Sequence, residues 1–225
     1  MPLKSILLKC GFDRLIPLGI ALTIVVSTVH GSDKDTLIIA MYGDSLIQGY
    51  GLSKDDGFVS QMQAKFTEAN FNVRLRNLGV SGDTTSSGLA RFEWSMAEDI
   101  SAMVLLLGAN DMLRGLPPEL SYKNLAQILT LAKRKNLPTF LIGINAINNY
   151  GLDYKSKFDK IFIKLKQEFD IDYYPNFFQA LQRDKSVDEF LIYMQADKIH
   201  PNAVGIEKIT SDLAPEIFAF VESLE

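Results

Sequence analysis

The sequence predicts an α/β fold in three layers, a five-stranded parallel sheet between two layers of helices. Three observations carry this. Apolar runs of strand length alternate about five times with longer segments of helical periodicity, the pattern of a parallel sheet covered by helices. The run 102–107 is apolar without a break, as in a central strand buried on both faces. Most of the runs give way to Gly, Ser, Asp or Asn, small and polar residues suited to the turn between strand and helix. With 225 residues and a 47% hydrophobic fraction, the chain can bury a substantial core in one domain.

Residues 36–41 read as the first strand. A helix over 58–69 follows, with Phe58, Met62 and Phe66 spaced for one buried face and Asn70 as its stop. The second strand is 73–78. Gly79 and Gly82 then mark a tight turn, and Asp83 or Thr84 caps a helix over 85–97 that turns Leu89 and Phe92 inward. Strand three, 102–107, ends at Gly108-Ala109-Asn110-Asp111. A loop with Gly115, Pro117 and Pro118 leads into a helix over 119–135. Strand four is 140–144. The helix over 153–169 places Phe158, Ile161, Phe162 and Leu165 on one stripe. Strand five is 171–174. The stretch 177–193 reads only as one short helix and a loop. Residues 197–202 open the last helix, which buries Ile206, Ile209 and Leu213 and which Pro215 should kink or divide.

The first 31 residues differ from the rest. Lys4, Lys9 and Arg14 precede an uncharged run, 15–29, followed by Val29-His30-Gly31. This is the layout of a secretory signal peptide cleaved near Gly31, so the mature protein is expected in the periplasm or outside the cell, with no stable membrane anchor. A retained anchor is the alternative, although the run is short against the roughly 20 apolar residues of a spanning helix. Cleavage would remove Cys10, the one cysteine, and His30, leaving His200 as the sole histidine. A zinc site of His and Cys is thereby excluded, and no metal is expected. The net charge of −4 offers no basic face for nucleic acid. No Gly-x-Gly-x-x-G or phosphate-loop pattern calls for a nucleotide cofactor.

Right-handed crossovers bring the carboxyl ends of parallel strands to one edge of the sheet. The segments of Ser45, Gly79 and Asn110 each follow a strand, so all three fall at that edge, where open α/β sheets hold their chemistry. Taken singly, each has a plainer reading. Ser45 is a capping residue after a strand, Gly79 a tight turn, Asn110 a turn residue, and Asp197 the cap of the last helix with His200 on the surface.

Four blocks occur in order: Gly43-Asp44-Ser45-Leu46; Asn77-Leu78-Gly79-Val80-Ser81-Gly82-Asp83-Thr84; Gly108-Ala109-Asn110-Asp111; and Asp197-Lys198-Ile199-His200-Pro201-Asn202. Together they resemble the sequence blocks of the SGNH (GDSL) hydrolases over nearly all of residues 32–225. Leu113-Arg114-Gly115 and Asn149-Tyr150-Gly151 further resemble the bacterial periplasmic branch that cleaves acyl thioesters, lysophospholipids and aryl esters. The resemblance implies the flavodoxin-like SGNH hydrolase fold and a catalytic triad with Ser45 as nucleophile, His200 as base and Asp197 as its orienting acid. It implies an oxyanion hole made by the Ser45 N–H, the Gly79 N–H and the Asn110 side-chain amide. No cofactor is implied, and the partner is a small-molecule acyl ester or thioester. The chemistry agrees, since a serine hydroxyl needs an adjacent base, the base an orienting acid, and the developing oxyanion preplaced donors. Asp44, Asp83, Thr84 and Asp111 read as residues that hold the loops. Ala109 stands where close relatives often carry glycine. Lys198 stands where many carry a small residue, and it either biases substrate charge or is merely solvated. Leu116, Ile147 and Tyr150 are expected to line an acyl groove. Rival readings are a carbohydrate acetylesterase on the same fold, a non-catalytic lipid- or glycan-binding protein, and a flavodoxin-like cofactor domain.

Overall fold

A computed structural model describes residues 36–183 and 186–224. The expected signal segment lies outside the described residues. Five strands form one parallel sheet: β1 (Leu37–Gly43), β2 (Val73–Gly79), β3 (Ala102–Leu106), β4 (Thr139–Ile142) and β5 (Asp172–Tyr174), in the order β2-β1-β3-β4-β5. β3 is buried along its whole length, as its unbroken apolar run requires, and β1 is buried from Ile39 onward.

The helices divide by crossover direction. α2 (Phe58–Glu68) packs against α9 (Ala203–Glu222), while α3 (Thr85–Ser95), α5 (Pro118–Arg134) and α6 (Gly151–Phe169) pack side by side. Right-handed crossovers put these two groups on opposite faces, because the chain moves from β1 to β2 in one direction and then back past β1 to β3 in the other. The predicted stripes are the buried ones: Phe58, Met62 and Phe66 in α2, and Phe158, Ile161, Phe162 and Leu165 in α6. Asn70 ends the turn after α2 at φ 59°, a left-handed conformation that Asn tolerates well.

Three details differ from expectation. Two short helices follow β1 and β3, α1 (Ser45–Gln48) and α4 (Ala109–Leu113). The stretch 177–193 holds two short helices, α7 (Gln179–Gln182) and α8 (Val187–Leu191). Pro215 does not divide α9. Pro215 and Ser211, the residue whose carbonyl it leaves without a helical partner, are both exposed, so water can satisfy the freed carbonyl. No helix among the described residues is long and apolar enough to cross a membrane.

Candidate active site

β1 lies between β2 and β3, so the loops leaving β1 and β3 diverge at its carboxyl end. This is the topological switch point, where doubly wound sheets open a crevice. Ser45 stands there. The Asp44 side chain caps α1, its Oδ1 accepting the Leu46 N–H at 3.1 Å. Asp44 is fully buried, and its Oδ2 has no hydrogen-bond partner. Burial above all, with the nearby Asp83 and Asp111 carboxylates adding to it, pushes the Asp44 carboxyl up to about 7.

Beneath this turn Arg91 ties three segments together. Its Nη2 donates to the Gly43 carbonyl at 2.9 Å, its Nε pairs with Asp83 at 2.6 Å, and its guanidinium lies 4.0 Å from the centre of the Tyr42 ring. Burial is the main reason the Tyr42 hydroxyl is pushed up to about 12. Thr84, rather than Asp83, caps α3 through a reciprocal arrangement with Ser87. The buried Asp111 carboxylate accepts from the Thr85 N–H at 2.7 Å, the Thr85 hydroxyl at 2.6 Å and the Ser121 hydroxyl at 3.0 Å. These buried charge-assisted bonds hold the loops after β1, β2 and β3 in one register.

His200 arrives from the turn before α9. Asn202, not Asp197, caps that helix, its side chain accepting the Gly205 N–H at 3.0 Å. Asp197 is thereby free to face the turn. Its Oδ1 accepts the N–H groups of Ile199 and His200 at 2.9 and 3.0 Å, and its Oδ2 lies 2.7 Å from His200 Nδ1. Burial works to raise the Asp197 carboxyl, but the bonds from the His200 ring and the two N–H groups outweigh it and hold the carboxyl below the ordinary carboxylate range. His200 Nε2 lies 2.8 Å from Ser45 Oγ. A hydroxyl, an imidazole and a carboxylate in this chain can pass the serine proton to the ring while the acid steadies the resulting positive charge.

The turn has a cost. Lys198 adopts φ 57°, a left-handed conformation that disfavours a side-chain-bearing residue by roughly 1 kcal/mol. Gln195 braces it. The Gln195 N–H donates to the His200 carbonyl at 2.8 Å, and its carbonyl accepts the Lys198 N–H at 2.9 Å. Its side-chain amide donates to the carbonyls of Tyr50 and Pro201 at 2.8 and 2.9 Å. One side chain thus joins the serine segment to the histidine turn. The Tyr50 ring completes the join, its centre 4.8 Å from that of His200.

Of the expected oxyanion donors, two line the cleft and one does not. Ser45 and Asn110 line the same cleft. Asn110 Nδ2 donates one hydrogen to the Asp83 carbonyl at 3.0 Å, and a primary amide retains a second. Gly79 lies elsewhere, as the last residue of β2. Its N–H donates to Asn77 Oδ1 at 2.9 Å, and a Cβ there would sit 2.3 Å from the Gln48 backbone nitrogen. It is glycine so that β2 can pass α1. The glycine at the cleft is Gly82, at φ 85°, with its carbonyl held by Arg114 at 3.0 Å. No hydrogen bond from the Gly82 or Ser45 N–H to a protein group occurs among the described residues. The second block contains both glycines, and only Gly82 adjoins Asp83 and the Thr84 cap.

The cleft has a volume of about 330 Å³. Met112, Leu113, Ile144, Ile147, Phe178 and Phe190 give it apolar walls. Ile147 is therefore where the sequence predicts it. Leu116 and Tyr150 are not in the lining. The Leu116 N–H donates to the Asp111 carbonyl at 2.9 Å, and its carbonyl accepts from the Tyr154 hydroxyl at 3.0 Å. The Tyr150 hydroxyl donates to the Leu113 carbonyl at 2.9 Å, and its ring covers Gly115, where a Cβ would come within 2.6 Å of it. Both brace the loop that carries Leu113. The wall that sequence reasoning missed is Phe178 and Phe190, from the stretch 177–193 whose aromatic residues follow no clear period, with Met194 just after it.

The model of the GDSL-like lipase/acylhydrolase family matches residues 41–208. Esterase TesA of Pseudomonas aeruginosa is 28% identical over 205 residues, covering 91% of this chain and 98% of that protein. Thioesterase 1/protease 1/lysophospholipase L1 of Escherichia coli K12 is 35% identical over 182 residues, covering 80% and 82%. Among solved structures, that of TesA superposes with a TM-score of 0.73 at 28% identity, covering 81% of this chain and 99% of that one. AlinE4, an SGNH-hydrolase family esterase, gives 0.67 at 32%, covering 82% and 96%. A match that runs from the buried strand before the serine into the helix after the histidine makes this chain a member of the GDSL (SGNH) acylhydrolase family.

Proposed function

We propose that the protein is an exported serine hydrolase that cleaves carboxylic esters and thioesters with an apolar acyl chain, through an acyl-enzyme. Ser45 Oγ attacks the carbonyl carbon while His200 Nε2 takes its proton. Asp197 holds the Nδ1 tautomer and balances the charge. The oxyanion accepts from the Ser45 N–H, the Gly82 N–H and the free hydrogen of Asn110 Nδ2. The carbonyl re-forms and the alcohol or thiol leaves with the proton from His200. Water, deprotonated by the same ring, then releases the acid.

The observation that carries this reading is the unbroken chain from Ser45 Oγ through His200 to Asp197, at 2.8 and 2.7 Å, opening into an apolar cleft. The apolar walls favour fatty acyl groups over sugar acetates. Acyl thioesters, aryl esters and lysophospholipids meet that description, and the names of the E. coli relative and of the arylesterase of Vibrio mimicus point the same way. Export rests on the sequence before Ser32.

The test is hydrolysis of p-nitrophenyl octanoate and of an octanoyl thioester by the protein begun after Gly31, with wild type and Ser45→Ala side by side. Both activities should vanish in the variant. A Ser45→Ala protein that still turns over would overturn the mechanism. For export, the full chain expressed in a bacterium should yield a periplasmic product whose amino terminus follows Gly31. An unprocessed product in the membrane fraction would favour an anchor.

A further inference from the structure

The cleft has a charge bias that the ester-hydrolase reading does not use. Apart from His200 and the Tyr50 phenol, Lys198 is the one ionisable side chain in its lining, and no Asp or Glu among the described residues joins it there. Lys198 makes no ion pair among the described residues. Asp197, the nearest acid in sequence, is engaged by the His200 ring and two backbone N–H groups. The protein as a whole is acidic, at −4, so an acid-free cleft with one unpaired cation is a local departure.

The backbone adds an independent observation. The turn needs a left-handed residue at 198, so that the N–H groups of Ile199 and His200 both reach Asp197. Glycine would fill that role without strain. A lysine stands there instead, at φ 57°. Strain kept at a cleft points to a job for the side chain.

Position assigns the job. The leaving group must lie on the His200 side of the scissile bond, because His200 returns the proton to it. The oxyanion donors and the loop of Leu113 lie on the segments after β1, β2 and β3. Lys198 is two residues from His200 in the same turn. We propose that Lys198 forms a subsite for an anionic group on the leaving alcohol or thiol. The class is a phosphate- or carboxylate-bearing leaving group, with the fatty acyl chain in the apolar part of the cleft. This rests on the esterase reading and narrows it.

The experiment compares two octanoyl esters, one of 4-hydroxybenzoate, whose leaving group carries a carboxylate, and one of its methyl ester, which is neutral. Wild type, Lys198→Arg, Lys198→Met and Lys198→Glu are assayed on both. The readout is the ratio of kcat/KM values, in which any general disturbance of His200 cancels. The anionic-to-neutral ratio should fall about three- to fivefold in Lys198→Met, the size of one exposed ion pair. It should fall further in Lys198→Glu and hold in Lys198→Arg. In wild type it should shrink as salt rises from about 0.02 to about 0.5 M. Equal ratios in wild type and Lys198→Glu would overturn the subsite.

Binding of the uncleaved octyl 4-carboxyphenyl ether and its methyl ester, followed by calorimetry, reads the same preference without turnover. Wild type should bind the acid more tightly than the ester, and Lys198→Glu should reverse the order. Failure to cleave either ester would therefore count against the hydrolase reading, while the calorimetry still decides the subsite.

Discussion

Asn110 spends one amide hydrogen on the Asp83 carbonyl and keeps the other for the cleft. Asn110→Ala is expected to lower kcat on p-nitrophenyl octanoate by about a hundredfold, in line with roughly 3 kcal/mol for one oxyanion donor. KM should change little, and a kcat within about twofold of wild type would remove Asn110 from the hole. Asp44 is the other residue with a measurable signature. Its folded-state value of about 7 lies above the ordinary unfolded value of about 3.9. Between these pH values the folded protein holds a proton that the unfolded chain has released. Stability due to Asp44 is therefore fully present below about pH 4, is lost as pH rises through about 7, and is level above that. The loss is on the order of 4 kcal/mol. Urea unfolding of Asp44→Asn against wild type should show the variant gaining relative stability from pH 4.5 to 8. A constant difference across that range would mean that the carboxyl is ionised throughout.

The turn that carries His200 is short and strained at Lys198, and it owes its place to Gln195. The amide of that side chain bridges the Tyr50 and Pro201 carbonyls, two segments far apart in the chain. Gln195→Ala should lower kcat tenfold or more with KM nearly unchanged, because the Ser45–His200 approach is what loosens. Gln195→Glu loses the amide hydrogens but keeps the size, so it should resemble the alanine variant. If both variants instead raise KM at constant kcat, Gln195 shapes the cleft and does not position the base. Elements such as α2, α6 and β3 were legible in advance, because their burial follows a helical period or an unbroken apolar run. The segment 177–193 was not. Its two helices are each shorter than the window over which a period can be recognised, and their aromatic residues pack by tertiary contact.

The assembled molecule places the apolar cleft over the switch point of the sheet, with its lining drawn from the loops after all five strands. Ile147 is 44% exposed and lines the cleft, so it can be changed with little harm to the fold. Ile147→Asp should cut kcat/KM for octanoyl esters severalfold more than for acetyl esters. An equal effect on both chain lengths would take Ile147 out of the acyl path. The Asp197 carboxyl, held below the ordinary carboxylate range, should stay ionised at mildly acid pH and keep the His200 ring oriented.

The sequence by itself determined the layers and the five strands, and its blocks singled out Ser45, Asp197, His200 and Asn110 as candidate site residues. These follow from periodicity and from blocks whose residue types the chemistry restricts. Only the tertiary structure decided which glycine lines the cleft beside the serine. Gly79 and Gly82 lie three residues apart in one turn-rich block, and either could have met the need for a bare backbone. The choice comes from β2 passing α1 at Gly79, and from Arg114 and Asn110 reaching across to hold the carbonyls of Gly82 and Asp83. It likewise decided that Tyr150 and Leu116 brace a loop while Phe178 and Phe190 form a wall, and that Arg91 lies buried under the site. Each depends on contacts between segments distant in the chain, which no local pattern of side chains can encode.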